Sequence, residues 1–152
     1  MLKESLYYSK ILLFGEYGII HDSMGLSIPY NDYNGKLLFS KTPDLASKDS
    51  NKKLGKFLIH LENLESRGEL PCALNLRKFR EDLDKGMHFD SSIPEGFGVG
   101  SSGAIVAAIY DHYCEDKITS DANMSNEKFI ELKKVFGILE SYYHGKSSGL
   151  DP

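Results

Sequence analysis

The residues best suited to chemistry fall in the stretch PEGFGVGSSGAIVAA, residues 94–108. Gly96, Gly98, Gly100 and Gly103 let a backbone approach a ligand without a Cβ in the way. The apolar run that follows reads as a buried helix. A glycine loop feeding a helix gathers main-chain N–H groups at the positive end of the helix dipole, an arrangement suited to phosphate. Ser101 and Ser102 stand at the helix start, where a hydroxyl can cap the helix, touch a phosphate oxygen or bind Mg2+. No lysine follows the last glycine as in a Walker loop, and no acidic residue stands at the distance a dinucleotide fingerprint requires. The same residues would serve equally as a flexible turn before a capped helix, so the loop alone leaves both readings open.

Two further polar groupings flank apolar segments. Lys10 precedes ILLF, and Glu16 follows it; by themselves they are charges at the ends of a strand. Near the other end, Glu140 lies beside the apolar stripe of a helix rather than opposite it. A carboxylate in that place needs a cation, a donor or water. Asp151 follows Ser147, Ser148 and Gly149 in what reads as a loop.

These residues need a scaffold, and the pattern of the chain suggests one. Ile11–Phe14 and Gly18–Ile20 read as buried strand pieces around a polar hinge at Gly15, Glu16 and Tyr17. Asn34-Gly35 between strand-like residues predicts a hairpin turn. Leu54, Phe57, Leu58, Leu61 and Leu64 fall at helical spacing, which predicts an amphipathic helix from about Asp49 to Ser66. Gly68 and Pro71 end it. Leu76, Phe79 and Leu83 predict a short helix closed by Gly86, and Met87, Phe89, Ser91 and Ile93 alternate as a strand does. After the buried helix Ala104–Cys114, a cap at Ser125 or Asn126 opens a second helical stripe of Phe129, Leu132, Phe136, Leu139 and Tyr143, closed by Gly145. Mixed strands and helices with an early hairpin predict an α+β fold.

Composition narrows the function classes. The 152 residues suit one domain with a real core, and the net charge of −4 offers no broad basic field for nucleic acid or an anionic membrane. The two cysteines, Cys72 and Cys114, are far apart in the chain and form neither a disulfide framework nor a metal quartet, which suits a reducing compartment. The first residues, MLKESLYYSK, lack the apolar core of a signal peptide, and no apolar run is long enough to span a bilayer. A cytoplasmic protein that binds neither nucleic acid nor membrane is expected.

Taken together, three stretches resemble the GHMP kinase superfamily, the group of galactokinase, homoserine, mevalonate and phosphomevalonate kinases. SKILLFGEYGIIHD is similar to its first motif, PEGFGVGSSGA to its phosphate loop, and ESYYHGKSSGLDP to the segment carrying its metal-binding glutamate and catalytic aspartate. The nearest likeness is to mevalonate kinases. The resemblance implies the family's N-terminal domain, which is ribosomal protein S5 domain 2-like. Residues 1–152 are then expected to form that domain, ending after the catalytic-aspartate motif, with the C-terminal domain absent.

The resemblance also implies roles. Pro94, Gly96, Gly98, Val99, Gly100, Ser101 and Ser102 would wrap the phosphates of ATP. Ser102 and Glu140 would hold Mg2+, Asp151 would take the proton of the acceptor hydroxyl, and Lys10 would stand beside both. Glu16 and His21 would line the acceptor pocket, with mevalonate as the acceptor, and the family leaves room for a homodimer. Tyr17 stands where mevalonate kinases usually have histidine and is similar there to phosphomevalonate kinases, whereas His144-Gly145 and the Ser-Ser-Gly-Leu-Asp run are similar to mevalonate kinases. Val99 and Gly103 replace the usual leucine and alanine. Phosphomevalonate kinase, another GHMP kinase and a non-catalytic nucleotide-binding fragment are the alternative readings.

Overall fold

The computed structural model describes residues 5–14, 26–119 and 123–145. Among these, β1 (Tyr7–Phe14), β2 (Leu26–Phe39) and β3 (Met87–Ser91) form an antiparallel sheet in the order β1-β2-β3. Four helices accompany it: α1 (Leu45–Ser66), α2 (Leu76–Asp84), α3 (Ser101–Tyr113) and α4 (Asn126–His144). The arrangement is α+β, as the mixed pattern predicts. α1 and α2 are inserted between β2 and β3, and α3 leaves β3 through the glycine loop.

The helices begin and end where side chains can satisfy the free backbone groups. Asp44 accepts the N–H of Ser47 at 2.8 Å, which starts α1 at Leu45, four residues before the predicted start. That bond holds the Asp44 carboxyl below the ordinary carboxylate range. Asn75 caps α2 by accepting the N–H of Lys78 at 2.9 Å, and Ser125 caps α4 by accepting that of Lys128. Gly145, with φ 70°, closes α4 as expected.

All five apolar residues predicted for the inner face of α1 are buried. Each contributes roughly 1.5–3 kcal/mol by leaving water. Phe57 from α1 meets Tyr142 and Tyr143 of α4 at ring separations of 5.2 and 5.5 Å, and Tyr110 of α3 meets Phe136 edge-on at 5.0 Å. The α4 stripe starts later than its spacing suggests: Phe129 is exposed and burial begins at Leu132. On α2, buried Asp82 pairs with Lys78 and accepts the hydroxyl of Tyr113.

The expected turn at Asn34-Gly35 does not form. Both residues lie inside β2, and Gly35 is not among the glycines with positive φ that a two-residue hairpin requires. The local signal is overridden by a ring: a Cβ on Gly35 would stand 2.3 Å from Cζ of Phe89. Leu37 pairs with Phe89 and Gly35 with Ser91, so the aromatic ring leans diagonally over the bare glycine. The irregularity falls beside this point instead, where the partner of β1 jumps from Asn34 to Tyr30 between Tyr8 and Ser9.

Cys72 and Cys114, distant in sequence, come together in space. Leu74 pairs with Cys114 in an isolated bridge, both thiols are free, and burial followed by the neighbouring Cys114 pushes the Cys72 thiol up. Among the described residues, no helix is long and apolar enough to cross a membrane.

Replacing Gly35 with alanine drives a methyl group into the Phe89 ring. We expect a loss of about 1–3 kcal/mol, read as a lower urea midpoint with an unchanged slope.

Candidate active site

The loop from β3 to α3 is built on alternation. Gly96, Gly98 and Gly100 have φ of 81, 67 and 83°, so every second residue turns the chain in the left-handed sense. Gly100 has the strongest reason to be glycine. It is the N-cap of α3, its carbonyl accepts the N–H of Ala104 at 3.0 Å, and a Cβ there would stand 3.2 Å from Cγ of Lys10. Having no side chain, it leaves the first N–H groups of α3 uncapped at the positive end of the helix dipole. An anion fits such a place on physical grounds alone.

Strand β1 supports the loop from one side. The N–H of Lys10 donates to the carbonyl of Val99 at 3.1 Å, and the lysine stem lies along Gly100. From the other side, the Lys53 ammonium on α1 contacts Glu95 at 3.2 Å and Asp49 at 3.1 Å. Asp49 first, then Glu95, raise the Lys53 ammonium above its ordinary range and keep it charged. These three side chains are exposed, so their link orients the loop more than it stabilises the fold.

Below the loop, Ser102 is buried in the first turn of α3. Its hydroxyl donates to Oε1 of Glu140 at 3.2 Å, and its Oγ lies 2.8 Å from Nε2 of His144. Glu140 projects from α4 into the interior and is 0% exposed. A hydroxyl and a carboxylate are hard oxygen donors of the kind Mg2+ prefers. The two are hydrogen-bonded to one another here, and their chemistry is of the type that could hold such a cation.

A cavity of about 750 Å3 opens beside this pair, between the start of α3, the C-terminal turns of α4, α1 and β3. Ser101, Ser102, Ile105, Tyr143, His144 and Lys53 are among its walls. Its volume suits a small-molecule ligand, with apolar side chains such as Leu54, Phe89 and Ile93 on one part of the wall and the hydroxyl-bearing Ser101 and Ser102 at the start of α3. Burial, then Tyr142 and Glu95, push the Tyr143 phenol up, so it lines the cavity as a neutral group.

The structure therefore brings together Lys10, the loop Pro94–Ser102, and Glu140, which are separated by up to 130 positions in the chain. Glu16, His21 and Asp151 lie outside the described residues. Three neighbours of the site were given no role there from the sequence: His144, which was noted only for its likeness to mevalonate kinases, Lys53 and Glu95. For His144 a signal existed, since it lies four residues after Glu140 on one helical face. For Lys53 and Glu95 there was none, because their meeting depends on how α1 packs beside the loop.

Alanine at Gly100 would strain a left-handed backbone and press on the Lys10 stem. We expect Gly100→Ala to weaken binding of a nucleoside triphosphate at least tenfold, measured by calorimetry, with the unfolding midpoint lowered by the equivalent of about 1–2 kcal/mol.

The family model for the GHMP kinases N terminal domain matches residues 69–152. Neither a search of curated proteins nor a search of solved structures returned a match. The matched stretch contains α2, β3, the glycine loop, α3 and α4, and so both Ser102 and Glu140. Strand β1 with Lys10 precedes it and joins the site through the folded contact with Val99 and Gly100. With the glycine loop, the buried hydroxyl–carboxylate pair and more than half of the sequence in agreement, this chain belongs to the GHMP kinase family.

Proposed function

We propose that the chain carries the phosphate-binding side of an ATP-dependent kinase that phosphorylates a hydroxyl group, with mevalonate as acceptor and 5-phosphomevalonate as product. The family membership supports a phosphotransferase, and GHMP kinases generally use ATP and Mg2+. The observation that carries the reading is the Ser102–Glu140 pair, 3.2 Å apart beneath the glycine loop and at the uncapped start of α3. The fold that goes with it is the ribosomal protein S5 domain 2-like arrangement. The free thiols Cys72 and Cys114 agree with a reducing compartment such as the cytoplasm.

In this reading, the loop N–H groups from Gly96 to Ser102 bind the triphosphate and orient its terminal phosphorus. The Lys10 ammonium, carried on the strand that braces the loop, stands on the acceptor side and favours an ionised hydroxyl oxygen. Ser102 and Glu140 would hold Mg2+, which supplies charge neutralisation on the phosphate oxygens when bound. Asp151 accepts the proton of the acceptor hydroxyl. The hydroxyl oxygen forms a bond to the γ-phosphorus, the bond from that phosphorus to the β,γ-bridging oxygen breaks, and ADP leaves. Glu16 and His21 contribute to the acceptor pocket.

The choice of mevalonate rests on the similarity of His144-Gly145 and the Ser-Ser-Gly-Leu-Asp run to mevalonate kinases. Tyr17 favours phosphomevalonate as the second reading.

ADP release measured on the full-length protein with each acceptor separates them. Turnover with mevalonate and none with phosphomevalonate is expected. Turnover with phosphomevalonate alone would transfer the assignment to that substrate, and turnover with neither would remove both acceptors and leave another GHMP kinase substrate or nucleotide binding without transfer. Asp151→Asn should reduce transfer by roughly 100-fold or more while ATP affinity stays within a factor of about 3 of the wild type. Wild-type turnover in that variant would remove Asp151 as the base. Glu140→Gln should raise the Mg2+ concentration for half-maximal ATP binding by roughly tenfold; an unchanged titration would remove Glu140 from the metal site.

A further inference from the structure

A serine hydroxyl has one proton and two lone pairs, and it rotates unless its neighbours fix it. Ser102 has two such neighbours. Its proton goes to Oε1 of Glu140 at 3.2 Å. The second contact, 2.8 Å from Oγ to Nε2 of His144, must then run the other way, with the ring N–H donating to the serine oxygen. That occupies one lone pair and leaves one. The hydroxyl is thereby set in a single orientation with a single acceptor site.

The geometry of α4 produces this arrangement. Glu140 and His144 are four residues apart on one face of the helix. Gly145 ends the helix immediately afterwards, and its N–H donates to Ser141 at 2.7 Å, which anchors the turn that carries His144. The histidine itself is exposed and lines the cavity, with only its Nε2 edge directed at the buried serine. Its removal therefore leaves the core intact.

We propose that His144 is a positioning residue for Ser102: it fixes the serine hydroxyl so that the remaining lone pair accepts a divalent cation beside Glu140. This inference rests on the reading of Ser102 and Glu140 as cation ligands. A freely rotating hydroxyl would have to be ordered when the cation arrives, and the histidine contact removes that requirement.

The test uses the full chain with His144→Ala and His144→Gln, the latter because a glutamine Nε2 can donate in the same place. Calorimetric titration of ATP at a series of Mg2+ concentrations gives the Mg2+ requirement, and titration in chelator gives metal-free affinity. Relative to each variant's own metal-free affinity, His144→Ala should raise the Mg2+ requirement about tenfold, and His144→Gln should restore most of it. In parallel, 15N NMR of the histidines at one neutral pH should show the Nε2–H tautomer for His144, with its signal displaced in Ser102→Ala. A wild-type Mg2+ requirement in His144→Ala, no restoration by glutamine, or the Nδ1–H tautomer would overturn the positioning role while leaving the kinase reading in place. A wild-type protein whose ATP binding does not respond to Mg2+ would overturn the cation reading and this inference with it.

Discussion

A carboxylate held entirely out of water governs the architecture around the site. Glu140 sits on the face of α4 that packs inward, and its Oε1 receives the hydroxyl of Ser102 in the first turn of α3. A charged group in that position is tolerated only with donors or cations arranged around it. The two helices must therefore keep a fixed separation. The apolar contacts supply that spacing: Phe136 against Tyr110 between α3 and α4, and Tyr142 and Tyr143 against Phe57 between α4 and α1. The core and the site are in this sense one structure. The rings fix the distance, and the distance sets the two oxygens 3.2 Å apart.

The glycine loop is restrained differently. It has no core of its own, and Phe97 at its centre is 79% exposed. Its two ends are held by neighbours from elsewhere in the chain. The Lys10 N–H bonds to Val99, and Lys53 reaches Glu95. Between these restraints the left-handed glycines keep backbone N–H groups available in place of side chains. The ends of the loop are thus held by side-chain and main-chain contacts, and glycine geometry shapes the part between them.

The family match and the folded contacts cover different parts of the site. The matched stretch holds the loop and the oxygen pair, whereas Lys10 comes from a strand that precedes it. β1 reaches the loop because it pairs along β2, and β2 in turn pairs with β3, whose continuation is the loop. The sheet thus brings the Lys10 side chain to the start of a helix 91 residues later in the chain.

Much of this was already legible in the amino-acid order. The α1 stripe from Leu54 to Leu64, the cap at Ser125, the closure at Gly145 and the loop–helix junction at Gly100 depend on spacing within a few residues, and local periodicity specifies such features directly. The sequence also placed Glu140 on the edge of an apolar stripe, which made its carboxylate conspicuous. Tertiary structure decided the rest. Asn34-Gly35 carries strong turn chemistry, yet both residues lie within β2, and Phe89, more than 50 positions away, occupies the space over Gly35. The meeting of Ser102 with His144, of Lys10 with Val99 and of Cys72 with Cys114 is likewise invisible in the linear order. Each depends on the position of an element set by apolar packing elsewhere, and a side chain's own neighbours in sequence contain no record of that position.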